Sequence, residues 1–147
     1  MRIKISPHDS CCQYIVDKEK GKVVCVIHST KYMLENFIGD FDPMLLELTD
    51  WKNIRMPNQF SGVASCAEDD EWDEAVGREI AFARAKYKLD KSFFKRANSF
   101  VNNIDKRINR LFDEFNSYGE VLSKNHSKRV KSLESKLGED FILYRND

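Results

Sequence analysis

Alternating apolar and polar positions in the first part of the chain predict short β-strands. The strand-like stretches are residues 2–5, 13–16, 22–28, 51–56 and 60–66. A charged turn at 17–21 ends in glycine and joins two of them, which predicts a β-hairpin over residues 13–28. Two apolar segments, 31–38 and 43–48, have the spacing of short helices. The pattern therefore predicts a small antiparallel sheet of four to five strands with two short helices.

From Trp72 onward the apolar spacing changes to about 3.5 residues, which indicates helix. The longest run advances in alternating steps of three and four, an a/d heptad pattern. Its members are Phe94, Ala97, Val101, Ile104, Ile108, Leu111, Phe115, Tyr118 and Leu122. Turn-forming residues at 116–119 predict an end or bend, after which a last helix with Val130 and Leu133 folds back. The predicted fold is α+β, one domain of residues 1–147 with a sheet-rich part, 1–70, and a helical part, 71–147.

We call the heptad positions from Phe94 to Leu122 the seam. The seam predicts self-association, most simply as a dimer, because an a/d stripe is shaped for a facing helix. The predicted oligomer interface consists of Val101, Ile104, Ile108, Leu111 and Phe115. Phe93, Phe100 and Phe112 broaden the stripe, so the helix is also expected to pack on its own domain. The pattern leaves open whether the sheet or a second subunit covers the seam.

The charges of the 147 residues cancel, with 24 basic and 24 acidic side chains. Residues 1–90 carry 12 basic and 16 acidic groups, and residues 91–147 carry 12 and 8. A neutral chain lacks the field of a non-specific DNA binder, and no apolar run reaches the roughly 20 residues of a membrane span. We expect neither nucleic acid nor a membrane as partner. Without an apolar export signal, a cytoplasmic location and reduced cysteines are expected.

Residues 68–74 are the densest chemical feature, since six of the seven are acidic. Asp70 is the expected N-cap of the next helix, with Asp73 at its third position. No histidine accompanies the acids, so we expect no metal and no cofactor. The other carboxylates are expected either to meet a basic protein surface or only to be solvated. The predicted partner-binding residues are Glu68, Asp69, Asp70, Glu71, Asp73 and Glu74.

The helix after this acidic segment has two faces of interest. The expected buried stripe is Trp72, Val76, Ile80, Ala83 and Tyr87. On the other face, Arg84 lies near small residues and either forms an ion pair with a nearby acid or holds a ligand phosphate. A nucleotide site between subunits would use Arg78, Phe82, Arg84 and Tyr87. The sequence contains no hydrolase, zinc-protease or phosphate-loop motif, so no enzyme is expected.

One segment also resembles a known type of protein. The residues that carry the resemblance are Ala64, Cys66, Asp69 or Asp70, Trp72, Asp73, Gly77, Ile80, Ala81, Arg84, Ala85 and Lys86. Together they resemble a pattern in small accessory proteins of bacteriophages of low-GC bacteria, over residues 60–88. Such proteins include counter-defence factors similar to anti-CRISPR inhibitors, which bind an immune nuclease, or to anti-Thoeris sponges, which sequester a cyclic nucleotide.

The resemblance implies a phage counter-defence protein acting in the host cytoplasm. It would bind and inhibit a bacterial immune effector, such as a CRISPR nuclease, without catalysis. The alternatives are a sponge for a cyclic nucleotide signal and a generic homo-oligomeric interaction protein.

Overall fold

The computed structural model describes residues 4–47, 49–52 and 54–137. In this part of the chain the fold is α+β, as predicted. The elements in order are β1 Cys12–Asp17, β2 Lys22–Ile27, α1 Met33–Phe41, α2 Met44–Glu47, β3 Phe60–Ser65 and α3 Glu74–Leu137. No helix in these ranges is both long and apolar enough to cross a membrane.

The sheet is antiparallel, in the order β1-β2-β3. Val24, at the middle of β2, pairs with Ile15 on one side and Val63 on the other. Gly21 closes the β1–β2 turn with a φ of 54°, a left-handed conformation that suits glycine. The predicted hairpin is therefore confirmed.

The sheet has three strands in the described residues, and the prediction of four to five is not confirmed. Lys4 and Ile5 lie outside any strand, and residues 2–3 fall outside the described ranges. The described residues of 51–56 form turns and irregular structure. Ile54 and Met56 are nevertheless buried in the core, because an irregular segment can place alternate side chains inward just as a strand does.

α3 packs closely on β3 because small residues lie at the crossing point. Ala81 and Ala85 are fully buried there. A Cβ on Gly62 would overlap the carbonyl oxygen of Ala81 and the amide nitrogen of Ala85. The absence of a side chain at residue 62 is therefore what allows the helix backbone to reach the strand.

The rest of the core joins the sheet, α1 and the loop before β3 to the same helix. Phe37 meets Phe93 edge-on at 5.6 Å between ring centroids. Trp51 stacks on Phe100 at 6.2 Å. The buried core residues are Val23, Cys25, Ile27, Leu34, Ile38, Ile54, Met56, Ala64, Ala81, Ala85, Leu89, Phe93 and Phe100.

The prediction of a buried stripe on α3 is wrong for four of its five residues. Trp72 is half-buried, but the other four are exposed, namely Val76, Ile80, Ala83 and Tyr87. The buried face instead contains Ala81, Ala85 and Leu89. The face with the alanines is the buried one because alanine permits the close contact with β3 that larger side chains would prevent.

The predicted helix end at 116–119 is also wrong, because α3 continues through these residues to Leu137 without folding back. Single Asn, Ser and Gly residues each cost a helix at most about 1 kcal/mol, too little to stop it among good helix formers. The chain divides into two compact units, Met1–Ile104 and Asp105–Asp147, which share α3. That residues 1–147 form a single domain stays a prediction.

Three weak acids on the strands of the β1–β2 hairpin, namely Cys12, Tyr14 and Cys25, predict that the protein loses stability at alkaline pH. Burial, followed by the neighbouring Cys11 thiol, raises the pKa of Cys12 from 9.0 to about 12. Burial also raises the pKa of Tyr14 above its usual 10.0 and that of Cys25 above its usual 9.0. The unfolded chain therefore loses these protons at a lower pH than the folded chain. We expect the free energy of unfolding to fall as pH rises above about 9.

Thermal unfolding followed by circular dichroism between pH 7 and 10.5 checks this expectation. Tyr14→Phe removes one of the titrating groups, together with the hydrogen bond that its hydroxyl donates to the Pro7 carbonyl at 3.1 Å. The variant should melt lower at pH 7 but lose less stability on going to pH 10.5. Equal losses in both proteins would contradict a contribution from Tyr14.

Candidate functional site

The acidic segment lies between the end of β3 and the start of α3. Asp73 is the N-cap of α3, since its Oδ1 accepts hydrogen bonds from the backbone of Ala75 at 2.9 Å and Val76 at 3.1 Å. The prediction of Asp70 as N-cap is wrong. The amide of Asp70 bonds to the carbonyl of Ala67 at 3.2 Å, which keeps this stretch in a turn and delays the helix.

Glu74 is also used by the fold. Its carboxylate lies 2.7 Å from the Arg78 guanidinium and 3.3 Å from the Lys18 ammonium. Hydrogen bonds first from Arg78 and then from Lys18 hold the pKa of Glu74 below its ordinary value. Glu74 thus ties the β1–β2 turn to the first turn of α3.

The other four acids of the segment are exposed, namely Glu68, Asp69, Asp70 and Glu71. Within the described ranges, their carboxylates make no hydrogen bond or ion pair. No three His, Cys, Asp or Glu side chains in those ranges are grouped so that they could hold a metal. A shallow cavity of about 200 Å³ beside the segment is lined by Gly21, Cys66, Trp72 and Gly77.

Arg84 and Lys88 lie along the outer edge of β3. Arg84 donates to the carbonyl of Val63 at 2.5 Å, and Lys88 donates to that of Ser61 at 2.8 Å. β3 has no further strand beside it in the described part of the chain. The two cations therefore bind edge carbonyls that would otherwise be open to another strand. Lys88 was not among the residues predicted from the sequence, although its spacing of four from Arg84 places both on one helix face.

The four residues predicted for a nucleotide site do not come together in one subunit. Arg84 and Tyr87 share an open groove of about 620 Å³ with Lys88. Arg78 instead lies over the Tyr14 ring at 5.0 Å, in a separate cavity. Phe82 is half-buried and packs against the hydrophobic core.

The seam is largely uncovered in both compact units. In the first unit, Phe94 and Val101 are exposed, the latter by 60%, whereas Ala97 and Ile104 are half-buried against the core. Phe93 and Phe100 pack on the domain, as expected from the broadened stripe, and Phe112 is exposed. In the second unit, the exposed seam residues are Ile108, Leu111, Phe115, Tyr118 and Leu122. Within the first unit, the sheet and its core therefore leave Phe94 and Val101 uncovered.

The exposed residues near the start of α3 continue the same pattern. Val76, Ile80, Ala83 and Tyr87 advance in steps of four, three and four. The next step of three reaches Asp90, and a further step of four reaches Phe94. The stripe that the sequence analysis assigned to the core is thus a polar-interrupted extension of the seam.

The comparisons with known proteins add no assignment. No family model, no curated protein and no solved structure matches this chain.

Proposed function

We propose that the protein is a non-catalytic interaction protein that acts as a homo-oligomer, assembled through the seam. The observation that carries this proposal is the exposure of apolar side chains at successive heptad positions of α3. Phe115 is 65% exposed and Ile108 47%, and other large apolar residues lie between and beyond them. A contiguous apolar patch of this kind marks an interaction surface in a water-soluble unit.

The heptad spacing favours a helix as the covering partner, because a and d side chains fit between four residues of a facing helix. A second copy of α3 supplies such a helix. Burying each large apolar side chain contributes about 1.5–3 kcal/mol when fully removed from water, and the half-exposed seam residues contribute part of that. Several such residues in each subunit are enough to hold a dimer at micromolar concentration.

Light scattering behind a sizing column tests the assembly directly. We expect a mass of twice the 17.2 kDa chain at tens of micromolar protein. A monomer at that concentration would refute the proposal.

A second candidate surface is the acidic segment, which we propose binds a basic partner protein. The supporting observation is that four of its six carboxylates serve no contact in the described structure. Immune nucleases of the CRISPR type hold nucleic acid in positively charged channels, so an exposed polyanion could compete there. This is the inhibitor activity that the resemblance over residues 60–88 implies.

Neutralising the exposed acids tests this candidate. The variant with Asp69→Asn, Asp70→Asn and Glu71→Gln should keep the fold and the oligomeric mass of the unaltered protein. The assay is cleavage of target DNA by a guide-loaded CRISPR nuclease, and the variant should inhibit this cleavage at least about tenfold more weakly. The matched control Glu19→Gln, Asp40→Asn, Glu47→Gln removes the same charge from other exposed positions. It should inhibit like the unaltered protein.

Two results would refute the inhibitor assignment. One is an unaltered protein that leaves cleavage unchanged at stoichiometric excess. The other is equal inhibition by both variants, which would mean that the segment serves only the start of α3.

The nucleotide sponge has less structural support. Arg84 already donates to the Val63 carbonyl, and neither Arg78 nor Phe82 lines the groove that contains Tyr87. A sponge would require a second subunit to complete the groove.

A further inference from the structure

The seam also contains information on how two copies are oriented. We propose that two α3 helices pair antiparallel, in full overlap of residues 97–122. This inference rests on the self-association proposed above and adds its direction and register. It follows from side-chain size, charge and buried area.

Side-chain size along the seam is asymmetric. Eight of the nine seam positions, those from Ala97 to Leu122, lie symmetrically about the point between Asn109 and Arg110, with smaller residues towards one end and larger ones towards the other. The ninth, Phe94, would face the partner's Asn125 in an antiparallel pairing. The antiparallel layers pair Ala97 with the partner's Leu122, Val101 with the partner's Tyr118, Ile104 with the partner's Phe115, and Ile108 with the partner's Leu111. The Ala97–Leu122 layer is the smallest, but the antiparallel layers differ less in total volume than layers of identical residues would, and an even volume suits a close-packed interface.

A parallel pairing in register would place each seam residue against its own copy. Two Ala97 side chains would leave a gap, whereas two Phe115 and two Tyr118 side chains would crowd successive layers. Gaps and overpacking both destabilise an interface. Side-chain size therefore favours the antiparallel pairing.

The charged residues beyond the two ends of the seam also favour the antiparallel pairing. Continuing the heptad beyond the seam places Asp90 before it, and Asn125 and then Arg129 after it. Asp90 also accepts a hydrogen bond from Lys86 within its own chain. In the antiparallel pairing Asp90 faces the partner's Arg129, whereas a parallel pairing would set like charges against each other. Within the overlap itself, residues 97–109 have a net charge of +1 and residues 110–122 of −2. The antiparallel arrangement sets each of these segments against the oppositely charged segment of the partner.

The exposed seam is large enough for the occupant we propose. Its six most exposed residues from Val101 to Leu122 each offer on the order of 100 Å² of apolar surface, so two copies bury about 1,200 Å². This area lies at the lower end of the range for specific protein interfaces.

Distances between spin labels on the two subunits test the orientation in the full-length protein. One label is placed at Lys124 and, in a separate sample, at Arg110. Both lie at the same outer heptad position and are exposed. Attachment through a ketone-bearing unnatural amino acid leaves the four free cysteines untouched. Pulsed electron–electron double resonance then measures the intersubunit distance.

In the antiparallel dimer, residue 110 lies at almost the same height along the dimer axis as residue 110 of the other copy. The two copies of residue 124 are separated along this axis by the length of 29 helical residues. We expect label distances of about 20 Å at Arg110 and about 45 Å at Lys124. A parallel dimer would give about 20 Å at both sites. Each heptad of register shift would change the Lys124 distance by about 10 Å.

The outcomes separate the two proposals. Short distances at both sites would overturn the antiparallel orientation. A Lys124 distance that differs by the length of a heptad would overturn the register. Either result would leave the proposed self-association unaffected. No intersubunit coupling, together with a monomer mass, would overturn both. The long distance at Lys124 with the short one at Arg110 supports the antiparallel dimer.

Discussion

Replacing Gly62 with alanine is expected to lower the melting temperature of the protein by about 10 °C or more. The added Cβ would overlap the backbone of Ala81 and Ala85 and lie 2.9 Å from the Cβ of Arg84. Two of these neighbours are helix backbone, which no rotamer change can move. Relief therefore requires α3 to shift away from β3, which also loosens the core around Leu89. We expect a loss of about 3 kcal/mol or more in the free energy of unfolding.

Gly119→Ala is the matched control for this substitution. Gly119 lies inside α3, and a Cβ there meets no atom within 4 Å. Alanine should leave the melting temperature unchanged or raise it slightly, because it stabilises a helix by about 1 kcal/mol relative to glycine. Circular dichroism melts of both variants provide the measurement. If Gly62→Ala melted within about 2 °C of the unaltered protein, the close contact between β3 and α3 would be wrong.

Ile108→Lys is expected to convert the oligomer into a monomer. Ile108 lies near the centre of the seam, and in a symmetric dimer the change inserts two lysines into the interface. Burying unpaired ammonium groups while losing apolar contacts costs several kcal/mol, and each 1.4 kcal/mol is about tenfold in affinity. We therefore expect the dissociation constant to rise by about 100-fold or more, measured by analytical ultracentrifugation over a concentration series.

The control for this variant is Asn116→Lys, which adds the same charge on the outer face of the same helix. It should dissociate like the unaltered protein, and both variants should keep the helical signal in circular dichroism. Equal dissociation constants for Ile108→Lys and the unaltered protein would mean that the seam is not the interface.

The local part of the fold was readable from the sequence because its signals act over a few residues. The turn ending in Gly21 and the alternation around it predicted the β1–β2 hairpin, and the heptad run predicted helix over the seam. In the segment 51–56 the same kind of alternation led to the wrong prediction of a strand. Ile54 and Met56 are buried, but the backbone between them is not paired with a strand. Alternation reports which side chains are inside, and not whether a neighbouring backbone is available for hydrogen bonding.

The two candidate surfaces could likewise be predicted from the sequence only in part. The sequence singled out the acidic segment and the seam, which are visible as a local concentration of charge and a repeated spacing. It could not show that Asp73 and Glu74 are used by the start of α3 while the four preceding acids are not. It also could not show that Arg84 and Lys88 bind the edge of β3, because their partners Val63 and Ser61 are more than 20 residues away.

By itself the sequence determined the fold class, the hairpin, the helical character of α3 and the existence of an apolar seam. The tertiary structure alone decided which of two competing stripes on α3 is buried. That choice depends on Gly62 meeting Ala81 and Ala85, a contact between distant parts of the chain that removes the space for larger side chains. Apolar periodicity measures how hydrophobic a helix face is, whereas burial also depends on how closely the opposing backbone can approach.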